Sequence, residues 1–164
     1  KEVTVLQVWD TAGQERYRSL SQAFYRGSDV CVLVYNVTDP NSFDSLDKWY
    51  NDFIEQTNTI LTPTEERPSG IQFPFIIVGN MIDRESRVSD EKVNEWICKK
   101  NIPLSCFFKT SAKNGISVEL MFEKASQEGY KRHIENDIPF IPPLLNLEER
   151  DESCCELFRN FFVN

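Results

Sequence analysis

Three short stretches hold the residue types that phosphate and nucleobase chemistry needs. The first is Asp10-Thr11-Ala12-Gly13-Gln14-Glu15. A carboxylate at Asp10 can hold a Mg²⁺ ion through water. With no Cβ at Gly13, a backbone N–H can come close to a phosphate oxygen. The side-chain amide of Gln14 can orient an attacking water. The second stretch is Gly79-Asn80-Met81-Ile82-Asp83, where one carboxylate could accept two hydrogen bonds from the edge of a base. The third is Thr110-Ser111-Ala112-Lys113. Taken singly, each is what an ordinary turn looks like, since Asp, Gly and Asn are common there. Ordinary turns do not explain the three together, in this order and each at the end of an apolar run.

Those apolar runs are the elements that must position the chemistry. Residues 3–9 alternate as a strand does, and 30–35 and 75–79 are continuous apolar runs suited to strands buried on both faces. Residues 106–110 read as a further strand. Between them lie helical patterns. Residues 17–26 make a short helix stopped at Gly27. Asp39-Pro40-Asn41-Ser42 starts a helix whose apolar stripe is Phe43, Leu46, Trp49, Tyr50, Phe53 and Ile54. Ser89 caps a helix carrying Val93, Trp96 and Ile97. Ser117 precedes one carrying Val118, Met121, Phe122 and Ala125. Residues 57–70, with Pro63, Pro68 and Gly70, form a loop. Strands alternating with helices mean an α/β fold with a mainly parallel sheet. In such sheets ligands sit beyond the carboxyl ends of the strands, where all three stretches fall.

Composition narrows the function. The chain has 164 residues, with 18 Lys and Arg against 26 Asp and Glu, so its net charge is −8. A nucleic-acid footprint or a polybasic lipid patch needs the opposite sign. Five cysteines (Cys31, Cys98, Cys106, Cys154 and Cys155) with no Cys-x-x-Cys spacing give neither a disulfide framework nor a zinc site. Cys31 and Cys106 read as small buried hydrophobes in strands. His133 is the only histidine and sits beside Lys131 and Arg132, on what reads as a solvated face. No Gly-x-Gly-x-x-Gly occurs, so a dinucleotide-binding reading fails. From Asn136 onward Pro139, Pro142 and Pro143 and a net charge of −4 mark an extended tail over 136–164. It nevertheless ends in Leu157, Phe158, Phe161 and Phe162, which an acidic tail does not call for.

The run Trp9-Asp10-Thr11-Ala12-Gly13-Gln14-Glu15-Arg16 resembles the switch II motif of small GTPases. Asn80-Met81-Ile82-Asp83 is similar to their Asn-Lys-x-Asp guanine motif with the Lys replaced. Thr110-Ser111-Ala112-Lys113 resembles their Ser-Ala-Lys loop. Ala23-Phe24-Tyr25-Arg26-Gly27 resembles the Rab family in particular, and residues 33–46 and 73–83 its late-endosomal branch. The resemblance covers residues 1–135 and implies a P-loop NTPase-like small GTPase domain there, followed by a hypervariable tail over 136–164.

The resemblance assigns roles. Asp10 would hold the Mg²⁺ shell, Gly13 the γ-phosphate, and Gln14, the catalytic residue, the hydrolytic water. Asn80 would brace the base loops, and Asp83 would read guanine. Ser111 belongs to the loop from which the Ala112 N–H meets the guanine oxygen, with Lys113 packing near the base. Trp9 and Phe24, with Tyr17 to Leu20, would form the effector face. The implied cofactors are GTP or GDP and Mg²⁺, for the complete protein. The implied partners are effectors, an exchange factor, a GTPase-activating protein, a prenylation escort and a GDP-dissociation inhibitor. The implied function is a switch for vesicle traffic, acting on the cytosolic face of late endosomes and lysosomes.

The sequence departs from that pattern in three places. A phosphate loop needs glycines five apart, and none of Gly13, Gly27, Gly70, Gly79, Gly115 and Gly129 satisfies this. Together with a first residue of Lys1 inside a strand pattern, this implies a chain truncated ahead of its first strand, phosphate loop and switch I. Met81 replaces the family's Lys and brings no donor or charge. Cys154-Cys155 resembles the prenylated cysteine pair of the family, yet nine residues follow it, while such signals are read at the chain end. These departures keep a second reading open, a nucleotide-independent module that binds effectors through the switch II face.

Overall fold

A computed structural model describes residues 4–11, 25, 27–59 and 73–135. The described sheet has three parallel strands in the order β1 (Cys31–Asn36), β2 (Phe75–Asn80) and β3 (Phe107–Lys109). Helix α1 (Pro40–Asp44) and helix α2 (Leu46–Thr59) connect β1 to β2. Helix α3 (Asp90–Lys99) and a short 3-10 turn (Leu104–Cys106) connect β2 to β3, and α4 (Val118–Glu135) follows.

The continuous apolar run of β2 puts it in the middle. All six of its residues are buried, with Ile76, Ile77 and Val78 at 0% exposure. The aromatic stripe of α2 closes on it. The Phe53 ring lies 4.7 Å from Phe73 and 5.5 Å from Phe75, and Tyr50 lies 4.6 Å from Phe75. Edge-to-face and tilted pairs of this kind add to the area they bury. On α3, Val93 and Ile97 are buried and Trp96 is half-buried, with Ser89 Oγ accepting from the Lys92 N–H at 3.3 Å as the N-cap. Asp39 caps α1 through the Asn41 N–H at 3.0 Å, and Pro40 opens the helix.

Several expectations need correction. Residues 4–11 form no strand, and Val5, Val8 and Trp9 are exposed. An alternating segment becomes a strand only against an edge that accepts its hydrogen bonds, and no described strand pairs with it. The run beginning at Asp39 is two helices rather than one. Ser45 separates them, yet its N–H and its Oγ both donate to the Asn41 carbonyl, at 3.0 and 2.8 Å, so the ladder is kept through the break. Helix α2 runs on to Thr59, into the segment read as a loop. Cys106 is buried, but in the 3-10 turn ahead of β3, where its N–H donates to the Pro103 carbonyl at 2.8 Å. Cys31 does open β1, and burial pushes its thiol up to about 12. The face around His133 is not simply solvated. The Arg132 guanidinium lies 4.2 Å from the Phe73 ring centre, and His133 Nδ1 is 3.7 Å from Asp29 Oδ1. Of the helix expected over 17–26, Tyr25 is described and is helical, and Gly27 follows in the left-handed region at φ +75°. The rest of that helix lies outside the described residues.

Register aligns the carboxyl ends of the strands. Tyr35 stands opposite Gly79, Asn36 opposite Asn80, and Gly79 opposite Lys109. Gly79 is a glycine because Tyr35 crosses it. A Cβ there would lie 2.6 Å from the phenol oxygen and 2.8 Å from the ring carbon bearing it. The ring cannot withdraw easily, being 3% exposed and stacked edge-on against Phe43 at 5.1 Å. Gly79→Ala should therefore lower stability by about 1–3 kcal/mol, the usual cost of overpacking. Urea unfolding of the variant beside the parent checks this, and an unchanged midpoint would contradict it.

Candidate functional site

The loops after β2 and β3 lock into each other through side chains. Asn80 is 2% exposed and closes β2. Its Oδ1 accepts from Thr110 Oγ1 at 3.1 Å and from the Ala112 N–H at 3.0 Å. A backbone N–H can only donate, so these bonds fix which side-chain atom is the oxygen. The Asn80 amide nitrogen has no partner among the described residues and remains a donor. The backbone adds two more links, Ile82 N–H to the Thr110 carbonyl at 3.1 Å and Thr110 N–H to the Gly79 carbonyl at 2.8 Å.

Asp83 is the second lock. It is exposed, and its Oδ1 accepts from Ser111 Oγ at 2.6 Å, while Ser111 itself is fully buried. The Ser111 hydrogen bond holds the Asp83 carboxyl below the usual carboxylate range, helped by its own backbone N–H and by the charges of Lys113 and Arg84. Ser111 is positioned by a pair of backbone bonds with Ile116, both 3.1 Å, and the turn between them passes through Gly115 at φ +73°. The result is an ionised acceptor at the rim of a rigid pair of loops.

Met81 lies between the two locks. It is half-buried against the core and sits at φ +71°, a left-handed conformation that costs a non-glycine residue roughly 1–2 kcal/mol. Asn80 and Asp83 fix the chain on both sides of it and hold that conformation.

Of the sequence-predicted site residues, Asn80, Asp83, Ser111, Ala112 and Lys113 come together. Trp9 and Asp10 are exposed, within residues 4–11, a segment that forms no strand. Burial raises the Asp10 carboxyl above its usual range. Gly13, Gln14, Tyr17, Leu20, Phe24, Cys154 and Cys155 lie outside the described residues. The Ala112 N–H, expected to meet a guanine oxygen, is engaged by Asn80 and would have to be shared between two acceptors. Sequence reasoning gave no role to Thr110, which is 0% exposed and ties Asn80 to β3. A hydroxyl closing an apolar strand one residue before the Ser-Ala-Lys loop was its only signal.

The donor set fits guanine. Its N1–H and N2–H₂ are adjacent donors for one ionised carboxylate, and its N7 and O6 are acceptors for the Asn80 amide and a shared Ala112 N–H. Adenine would place an acceptor at N1 against the Asp83 carboxylate. Among the described residues no group of three or more His, Cys, Asp or Glu side chains could hold a metal ion.

Comparisons with known proteins give the family. The family model described as the Ras family matches residues 1–131. The chain belongs to the Ras family. Within it, the chain is similar to the Ras-related protein Rab7 of Drosophila melanogaster, 43% identical over 143 residues, which are 84% of this chain and 64% of the relative. It is likewise 43% identical to Rab7 of Pisum sativum over 147 residues, 87% of this chain and 66% of that one. Rab-7b of Paramecium octaurelia is 39% identical over 151 residues, 91% and 68% of the two chains. The Ras-family chain thus spans about two thirds of the length of these relatives, on their Rab7 branch. Its parallel three-stranded sheet with flanking helices is the P-loop NTPase-like arrangement expected of a Ras-type GTPase domain.

Proposed function

We propose that the chain is the greater part of a Rab-type GTP-binding switch that regulates vesicle traffic to late endosomes and lysosomes. The observation that carries this reading is the double lock of Asn80 and Asp83 onto residues 110–112. In this reading the ionised Asp83 carboxylate meets the two donors of guanine, and so separates GTP from ATP. A module that never met a nucleotide would have no use for a carboxylate ordered in this way.

In this reading residues 1–135 form the GTPase domain and 136–164 the hypervariable tail. Asn80 and Asp83 hold the base, with Ser111, Ala112 and Lys113 around it. Asp10 belongs to the Mg²⁺ shell, Gly13 meets the γ-phosphate and Gln14 orients water in hydrolysis. Bound GTP and its Mg²⁺ supply the charge that orders the switches, and hydrolysis releases them. Trp9, Tyr17, Leu20 and Phe24 form the face that effectors read, and exchange and activating proteins set the state of the switch. Prenyl groups on Cys154 and Cys155, delivered by an escort and handled by a GDP-dissociation inhibitor, anchor the protein to late-endosomal membranes.

The test is to join a phosphate-loop segment from the Drosophila Rab7 relative ahead of Lys1 and titrate fluorescent GDP and ADP. The joined protein should bind GDP at least about 100-fold more tightly than ADP, because a site built to satisfy particular donors rejects a base that lacks them. A folded joined protein that binds both equally would overturn the reading.

A further inference from the structure

Beyond the base site, the same end of the sheet carries a concavity of about 330 Å³ lined by Thr38, Arg84, Glu85 and Arg87. Its walls are fixed by the backbone. The Arg87 N–H donates to the Val37 carbonyl at 2.8 Å, and the Arg84 N–H donates to the Met81 carbonyl at 3.0 Å. Ser86 Oγ donates to the Val88 carbonyl at 2.8 Å, and Thr38 Oγ1 donates to Asn36 Oδ1 at 2.9 Å. The Arg87 bond and a longer one from Ser86 Oγ to the Val37 carbonyl, 3.4 Å, join the two loops, while the other bonds order each loop within itself.

Both guanidinium groups are exposed, and no described carboxylate lies within ion-pair distance of either. That is unusual here. Exposed Lys92 and Lys109 each hold an aspartate at 2.5–2.6 Å, in a chain with eight more acidic than basic residues. Two arginines without an ion pair line one hollow, and a guanidinium offers paired donors that match a planar anion. The Thr38 hydroxyl proton is already donated, so the guanidiniums are the donors on offer. Glu85 on the same wall disfavours a dianion more than a monoanion. That points to a carboxylate rather than a phosphate.

We propose that this hollow is a docking subsite for a carboxylate side chain presented by an acidic segment of a partner protein. The inference does not rest on the nucleotide reading, although the charge of Arg84 also helps keep the Asp83 carboxyl ionised.

The test uses the full 164-residue chain and a fluorescent decapeptide of alternating Glu and Gly. Binding should be measurable at 20 mM salt and weaken at 150 mM, as a two-charge contact does. R84Q/R87Q should weaken it at least tenfold at an unchanged melting temperature, while K99Q, an exposed cation elsewhere, leaves it alone. Equal binding by R84Q/R87Q, or none by the parent, would overturn the subsite. Inorganic phosphate competing better than glutarate would overturn the carboxylate assignment. A chain ending at residue 135 that binds the peptide several-fold more tightly would show the occupant to be the protein's own acidic tail, which overturns the assignment to a partner.

Discussion

Replacing Asp83 by Asn should turn the base preference of the nucleotide-competent joined protein from guanine to xanthine. The Asp83 carboxylate is an acceptor at both oxygens, and guanine meets it with two donors. Asparagine keeps one acceptor and turns the other into a donor, which would face the guanine N2–H₂ donor to donor. Xanthine carries an oxygen at that position and restores the match. The lock itself should survive, since Ser111 Oγ can still donate to the Asn oxygen as it does to Asp83 Oδ1 at 2.6 Å. Guanine affinity should fall at least about 100-fold and xanthosine diphosphate should gain a similar factor, by the logic of sites built around specific hydrogen bonds. Competition titrations on the parent and D83N joined proteins decide the matter. Loss of both nucleotides at an unchanged melting temperature would mean that Asp83 does not face the base.

The same carboxylate predicts a pH profile. Ser111 lowers the Asp83 pKa in the folded protein. A depressed folded pKa means that the ionised form, and any stability it contributes, is present above the ordinary carboxylate value near 3.9 and is lost only as pH falls through the lower folded value. Guanine discrimination should therefore be flat from neutrality down to about pH 5. Ser111→Ala removes the largest cause of the depression and should move the onset of loss toward higher pH.

How much of this was legible in the sequence depends on what each residue's structure rests on. The buried strand β2 and the capped helix α3 were readable because their signals are local, a continuous apolar run in one case and Ser89 ahead of an apolar stripe in the other. The base loops were readable for a related reason. Asn80, Asp83 and residues 110–112 sit at fixed offsets from strand ends, and parallel register carries the ends together. Residues 4–11 were misread because alternation reports only which side chains could share a face. Strand formation also needs an edge, which is a property of other residues. The break at Ser45 was invisible because it is slight: the Ser45 N–H still donates to the Asn41 carbonyl at 3.0 Å, and the Trp49 N–H to the Ser45 carbonyl at 3.2 Å. The engagement of the Ala112 N–H by Asn80 was invisible too. Motif spacing says which groups approach one another, not how a single N–H divides itself between acceptors.

The 164-residue chain by itself should bind GDP more weakly than micromolar and hydrolyse no GTP above background. Micromolar affinity is about 8 kcal/mol of binding free energy. In the proposed base site the described residues offer one exposed carboxylate, one amide donor and a shared backbone N–H. A nucleoside diphosphate also brings negative charge to a chain of net −8, and repulsion at range lowers its local concentration. Phosphoryl transfer rests on positioning and on neutralising phosphate charge, through a cradle of N–H groups, a lysine and a metal-binding hydroxyl. No Gly-x-x-x-x-Gly-Lys-Ser/Thr within residues 1–164 supplies them, and Met81 adds no cation. Joining a phosphate-loop segment ahead of Lys1 should tighten GDP binding by three orders of magnitude or more. It should do so without moving the preference for guanine over adenine, because Asp83 sets that preference. Isothermal titration of the chain with and without the segment reads both quantities. Micromolar GDP binding by the 164 residues alone would mean that other groups in this chain hold the phosphates.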